Sequence, residues 1–183
     1  SSDLSAGAVG WPLLWMVPLT PLRALGVSGQ DPAFAAGLLV ALAANGLSVV
    51  ATAAVGRAVT GRRGVGLAAA ALLATFPLWM WLLQGGEGWT NGTWVTDAGL
   101  HMMTEPVSTA LVTGGAALLL GSASPVRLAL AGVALGYAVL VRPTNAFFLV
   151  AALALALVRD GGRRTAPMLV GALASLPAYI AFS

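Results

Sequence analysis

The sequence has no cysteine, no lysine, one histidine and only six acidic residues in 183. Without cysteine, a disulfide framework and thiolate metal sites are both excluded. Without lysine, all nine cations are arginine, and they are dispersed over short breaks rather than gathered into a patch. That dispersal argues against nucleic acid as a partner. Charged residues make up 8% of the chain, against about 25% in a soluble domain. Ser1 to Gly10 has neither the basic start nor the apolar core of a signal peptide.

What fills the sequence instead is apolar. Hydrophobic residues account for 58%, and the mean hydropathy is +0.90. A membrane-spanning helix needs about 20 apolar residues. Ala33–Val55 and Val65–Leu83 meet this, Pro106–Leu120 is shorter but continuous, and Ala166–Phe182 closes the chain. Between the last two, Val126–Val141 and Thr144–Val158 form a pair of short apolar segments around Arg142-Pro143. The expected fold is all-α, a polytopic transmembrane helical bundle of about six membrane segments plus an external interfacial segment. Residues 1–32 form the external loop and interfacial segment, and residues 33–183 the transmembrane helices, in one domain. The apolar run ends abruptly at Ser183 and no methionine starts the chain, so a fragment of a longer protein is expected.

The charges assign sides. The apolar runs are broken by Arg57, Arg62 and Arg63, then by Arg127, then by Arg159, Arg163 and Arg164, while the intervening gaps hold Asp3, Asp31, Glu87, Asp97 and Glu105. Loops rich in arginine stay in the cytoplasm. The acidic gaps then face outward, and Arg142 falls on the external side, where the charge rule does not ask for it. Gly10–Arg23 carries Pro12, Pro18 and Pro21, which prevent a long regular helix, and Trp11 and Trp15, which suit the headgroup layer. The Gly132-x-x-x-Gly136 spacing predicts close approach of a neighbouring helix, a packing feature.

The candidate chemistry gathers on the external face. The loop Gln84–Glu105 holds the only histidine, and Asp97, His101 and Glu105 follow one another at intervals of four. On a helix those three share a face. Carboxylate and imidazole together act as a general base or hold a divalent cation. The plainer alternatives are a solvated loop for Asp97 and His101, and for Glu105 a favourable charge at a helix start before Pro106. Arg142 is a costly cation at the edge of an apolar segment, suited to a phosphate by its planar fork, or else snorkelling or paired with Glu105. Arg23, beside the interfacial segment, is a second candidate phosphate contact, and Asp3 is either part of a catalytic loop or an ordinary loop acid.

Taken together, the segment GWPLLWMVPL, the Thr104-Glu105-Pro106 opening of a span, and the hairpin LALAGVALGYAVLVRPTNAFFLVAALALAL resemble the GT-C superfamily of polytopic glycosyltransferases. The similarity covers roughly residues 10–157 and is nearest to the protein-mannosyltransferase-like branch. It implies an inverting transfer of a sugar from a polyprenyl (dolichyl or undecaprenyl) phosphate to a glycan or protein acceptor. The reaction would take place on the extracytoplasmic face of the cell membrane. By this resemblance Arg142 would hold the lipid phosphate, and Trp89 and Trp94 would stack on sugar rings, with interfacial anchoring as the alternative. Glu105, with Asp97 and His101, would orient the acceptor or bind a divalent metal, magnesium or manganese; metal use varies across the family and stays open. The family places an acid or acidic pair in the first external loop. Asp3 is the acid available here, close to Gly10-Trp11-Pro12, so the principal base is expected upstream of residue 1. The rival is a transporter or permease membrane domain, to which short, Pro-interrupted segments also point.

Overall fold

The computed structural model describes residues 19–26, 31–83, 104–121 and 124–177. Among them there is no strand. Six long helices follow one another: α1 (Asp31–Thr60), α2 (Arg63–Leu83), α3 (Thr104–Gly121), α4 (Pro125–Val141), α5 (Ala146–Asp160) and α6 (Gly162–Leu173), with a 3₁₀ turn at Pro143–Asn145. Residues 19–24 add a short helical turn. The helices pack in the order α2, α1, α3, α4, α6, and α5 lies against α3, α4 and α6.

The arginine breaks are tighter than the sequence suggests. Arg57 lies in the last turn of α1 and Arg63 opens α2, so only Gly61 and Arg62 separate them. Gly61 takes φ +70° and donates its N–H to the Arg57 carbonyl at 2.8 Å, a left-handed cap that suits glycine. Gly161 also takes a positive φ between α5 and α6, φ +76° with ψ 167°, a conformation only glycine adopts readily, and its N–H donates to the Leu157 carbonyl at 3.0 Å. A cation in a helix's last turn is favoured by the exposed carbonyls there, which keeps Arg57 and Arg159 helical.

The expected last segment, Ala166–Phe182, begins earlier than read: α6 starts at Gly162 and runs to Leu173, a turn at Ala174–Ser175 interrupts it, and helix resumes at Leu176–Pro177; residues 178–183 lie outside the described ones. α5 begins at Ala146, because Thr144 belongs to the 3₁₀ turn. Among the described residues, two helical stretches are long and apolar enough by length and composition to cross a membrane, Leu39–Thr60 and Pro143–Asp160. α4, with 17 residues, reaches only about 26 Å against a hydrocarbon core of about 30 Å. Among the described residues six spans are not shown.

The interior is built from small residues and the outside from large ones. Ala36, Ala41, Ala44 and Ala51 of α1, Ala131 and Ala138 of α4 and Ala156 of α5 are buried, while Leu67, Leu72, Phe148 and Val150 are exposed. Phe147 is 81% and Val158 86% exposed. A core cluster of Leu119, Leu128, Ala131, Leu135, Ala156 and Met168 joins α3 to α6, and a second, of Ala44, Val107, Ala110 and Val141, joins α1, α3 and α4.

Glycine permits the closest contacts. A Cβ on Gly132 would collide with the Met168 carbonyl, one on Gly136 would stand 2.7 Å from the Ala172 carbonyl, and one on Gly171 would meet the Ala129 backbone. α4 and α6 therefore touch backbone to backbone and run in the same direction, since Gly132 meets Met168–Ala172 and Gly136 meets Ala172–Ser175. The packing role read from Gly132-x-x-x-Gly136 is met by α6.

Arg159 ties two helix ends together. Its Nη1 donates to the Leu119 carbonyl at 2.8 Å, near the end of α3, and its Nη2 pairs with Asp160 at 2.6 Å. The Asp160 carboxylate is 7% exposed and accepts from both Nε and Nη2 of Arg159, and the Leu119 carbonyl lies in the last turn of α3, where helix carbonyls take partners from outside the ladder. Arg159→Ala, which removes the cation from both acceptors, is expected to lower stability by about 2 kcal/mol in a thermal melt.

Candidate functional site

The two ends of the α3–α6 unit differ in charge. Gly121, at the end of α3, lies close to the Arg127 guanidinium, and Arg159 reaches Leu119 at the same end. Arg163, in the first turn of α6, follows directly. α3 and α4 run antiparallel, with Gly115 against Leu135 and Ala131. The far end of α4 therefore returns to the start of α3, where Arg142 stands. Three arginines mark one end and Arg142 the other, as the charge pattern of the sequence predicts for this half.

The break at Arg142 is dictated locally. A residue before proline is pushed out of the α region, and Arg142 adopts φ −146°, ψ 114°, extended backbone. Its N–H still donates to the Ala138 carbonyl at 2.9 Å, and its own carbonyl accepts from the Asn145 N–H at 2.9 Å, closing the 3₁₀ turn. The side chain is half-buried. Pro143 and Thr144 beside it are exposed, so the break opens at the surface.

Asn145 is the polar anchor, and the sequence reading passed over it. It is 6% exposed and donates through Nδ2 to the Ser108 hydroxyl at 2.8 Å and to the Ala138 carbonyl at 2.8 Å. Ser108, on α3, is also buried. The sequence marks it only as a polar residue three positions after an interrupting arginine, inside an otherwise apolar hairpin; its partner Ser108 lies 37 residues away. A hydrogen bond between membrane helices contributes about 0.6 kcal/mol on average and up to ~1.7. Stability alone is a small return for a buried amide.

The Ser108–Asn145 bond, with Val107 and Val141 in one core cluster, brings the first turn of α3 beside the break. Glu105 lies in that turn, one residue into a helix that begins at Thr104, two residues before the expected Pro106. The backbone of Glu105 and that of Arg142 thus flank the same cluster. Arg23 stands apart from this arrangement in sequence, exposed on the helical turn 19–24. Asp3, Trp89, Trp94, Asp97 and His101 lie outside the described residues. Among the described residues no group of three metal-ligating side chains comes together.

The arrangement suits anion recognition. A guanidinium at a helix break offers paired N–H donors to a phosphate, and the start of α3 adds the positive end of a helix dipole. No protein-family model, no curated protein and no solved structure matches this chain.

Proposed function

We propose that this chain is the membrane part of a glycosyltransferase that draws its sugar from a polyprenyl-phosphate donor and acts on the extracytoplasmic side. The observation that carries the reading is Arg142: a half-buried cation at a backbone break, beside the start of α3, at the end opposite Arg127, Arg159 and Arg163. The outward-facing large side chains support a lipid environment. A water-exposed surface of Leu, Val and Phe on this scale would aggregate, since exposed apolar patches beyond a few hundred Å² mark interaction surfaces. Small residues inside are the packing habit of membrane helices.

In this reading the donor's lipid tail lies along the bundle and its phosphate meets the Arg142 guanidinium. The acceptor hydroxyl attacks the anomeric carbon as a base removes its proton. The glycosidic bond to the phosphate oxygen breaks, and the lipid phosphate leaves with its negative charge held by Arg142. Preorganised charge of this kind is usually the largest single contribution to catalysis. Glu105, with Asp97 and His101, would orient the acceptor or hold a divalent metal such as magnesium or manganese. A transporter is the second reading, favoured by the unwound turn between α4 and α5. The break, however, faces Ser108 near the start of α3 rather than its middle, where a transporter site would lie.

Binding and sidedness test the proposal together. Undecaprenyl phosphate is expected to bind the full-length protein in nanodiscs, and lack of binding across polyprenyl phosphates would remove the reading. In the cysteine-free background, Thr144→Cys is expected to label with a membrane-impermeant maleimide from outside intact cells, and Ser124→Cys only after permeabilisation. The reverse pattern would place Arg142 in the cytoplasm and contradict the proposed face.

A further inference from the structure

We infer that Asn145 is a positioning residue for Arg142, a clamp that sets where the guanidinium sits for the lipid phosphate. The inference rests on the transferase reading above. Asn145 holds Arg142 from both sides without touching its side chain. Its backbone N–H takes the Arg142 carbonyl at 2.9 Å. Its Nδ2 takes the Ala138 carbonyl at 2.8 Å, the same oxygen that accepts the Arg142 N–H at 2.9 Å. The same Nδ2 reaches across to Ser108 on α3, 2.8 Å away.

The geometry has a physical consequence. Pro143 has no N–H, so α4 cannot continue into α5 through the ladder; the turn is closed by the Asn145 N–H on the Arg142 carbonyl and by the Ala146 N–H on the Pro143 and Thr144 carbonyls. These bonds are local to the turn. The Asn145 amide fastens the turn to the end of α4 and to the first half of α3, two elements that do not move independently once Val107 and Val141 share a core. The start of α3 is also where Glu105 sits. One buried amide therefore fixes the separation between the Arg142 backbone and the helix start that carries Glu105. Displacement of a recognition group by about 1 Å costs on the order of a hundredfold in a reaction, so an anchor with little value for stability has value here.

The test uses the full-length protein in nanodiscs, with undecaprenyl phosphate as the probe. Asn145→Ala removes the amide; Asn145→Asp keeps its shape and loses its donors. Both variants are expected to raise amide exchange at Arg142 and Asn145 at least about tenfold while the global melting temperature moves little. Both are expected to weaken probe binding about tenfold, and neither should weaken it further when Arg142 is already alanine. Equal losses with and without Arg142 would overturn the inference, because Asn145 would then act on packing. Near-wild-type binding by Asn145→Asp, or unchanged exchange at Arg142, would overturn it too. If wild type binds no undecaprenyl phosphate while the exchange changes appear, it is the transferase reading that fails, and the positioning role for phosphate falls with it.

Discussion

Gly132→Leu is expected to lift α6 off α4 and to cost about 3 kcal/mol in unfolding free energy. The position has no room for relief. A Cβ there meets the Met168 carbonyl and stands 2.9 Å from the Ala172 nitrogen, and both obstacles are backbone. Side chains can rotate away, but a helix backbone moves only as a whole. Gly171→Leu is expected to behave alike, since its Cβ would stand 3.1 Å from the Ala129 Cα. Gly114 supplies the control: it lies in α3 with nothing within 4 Å of a built Cβ. Gly114→Ala should therefore stabilise by up to about 1 kcal/mol through helix propensity alone. Denaturation in mild detergent reads all three. Equal, small effects at Gly132 and Gly114 would mean that backbone contact does not hold the bundle together.

Arg142→Ala is expected to lower sugar transfer by about a hundredfold, the scale seen when one preorganised donor to a developing anion is removed. That loss corresponds to about 2.7 kcal/mol of barrier. It should fall mainly on kcat, because negative charge on the lipid phosphate grows as the glycosidic bond breaks. Arg142→Lys is expected to recover only part of the rate: the charge remains, but the planar fork that grips two phosphate oxygens does not. Kinetics on equally abundant variants decide it. A variant with unchanged kcat and raised KM would assign Arg142 to donor binding alone, and an unaffected one would make it a structural cation.

The helical fold was legible in the sequence because long apolar runs and arginine breaks are one-dimensional signals. The ends of α2, α3 and α4 follow directly from where those runs stop. The breaks themselves were less legible. Arg57 and Arg159 look like loop residues by charge, yet the dipole of the preceding helix keeps them in its last turn, and glycines at 61 and 161 compress each connection. Two of the expected membrane segments appear as helices long and apolar enough to cross; crossing requires length as well as apolarity, and composition reports only the second.

At the site, Arg142 was visible as a charge out of place and its break as an Arg-Pro pair. Asn145 was not singled out, because its meaning lies in Ser108, 37 residues away, and no local pattern links the two. The resemblance to polytopic glycosyltransferases rests on short motifs in Ala-, Leu- and Gly-rich sequence.

The most direct measurement is sugar transfer from polyprenyl-phosphate donors in membranes containing the full-length protein, with wild type beside Arg142→Ala and Glu105→Gln. The account predicts that wild type releases lipid phosphate and that both variants lose at least about tenfold, or about 1.4 kcal/mol of barrier. A wild-type protein that is silent across mannosyl, glucosyl and other polyprenyl-phosphate donors would contradict it.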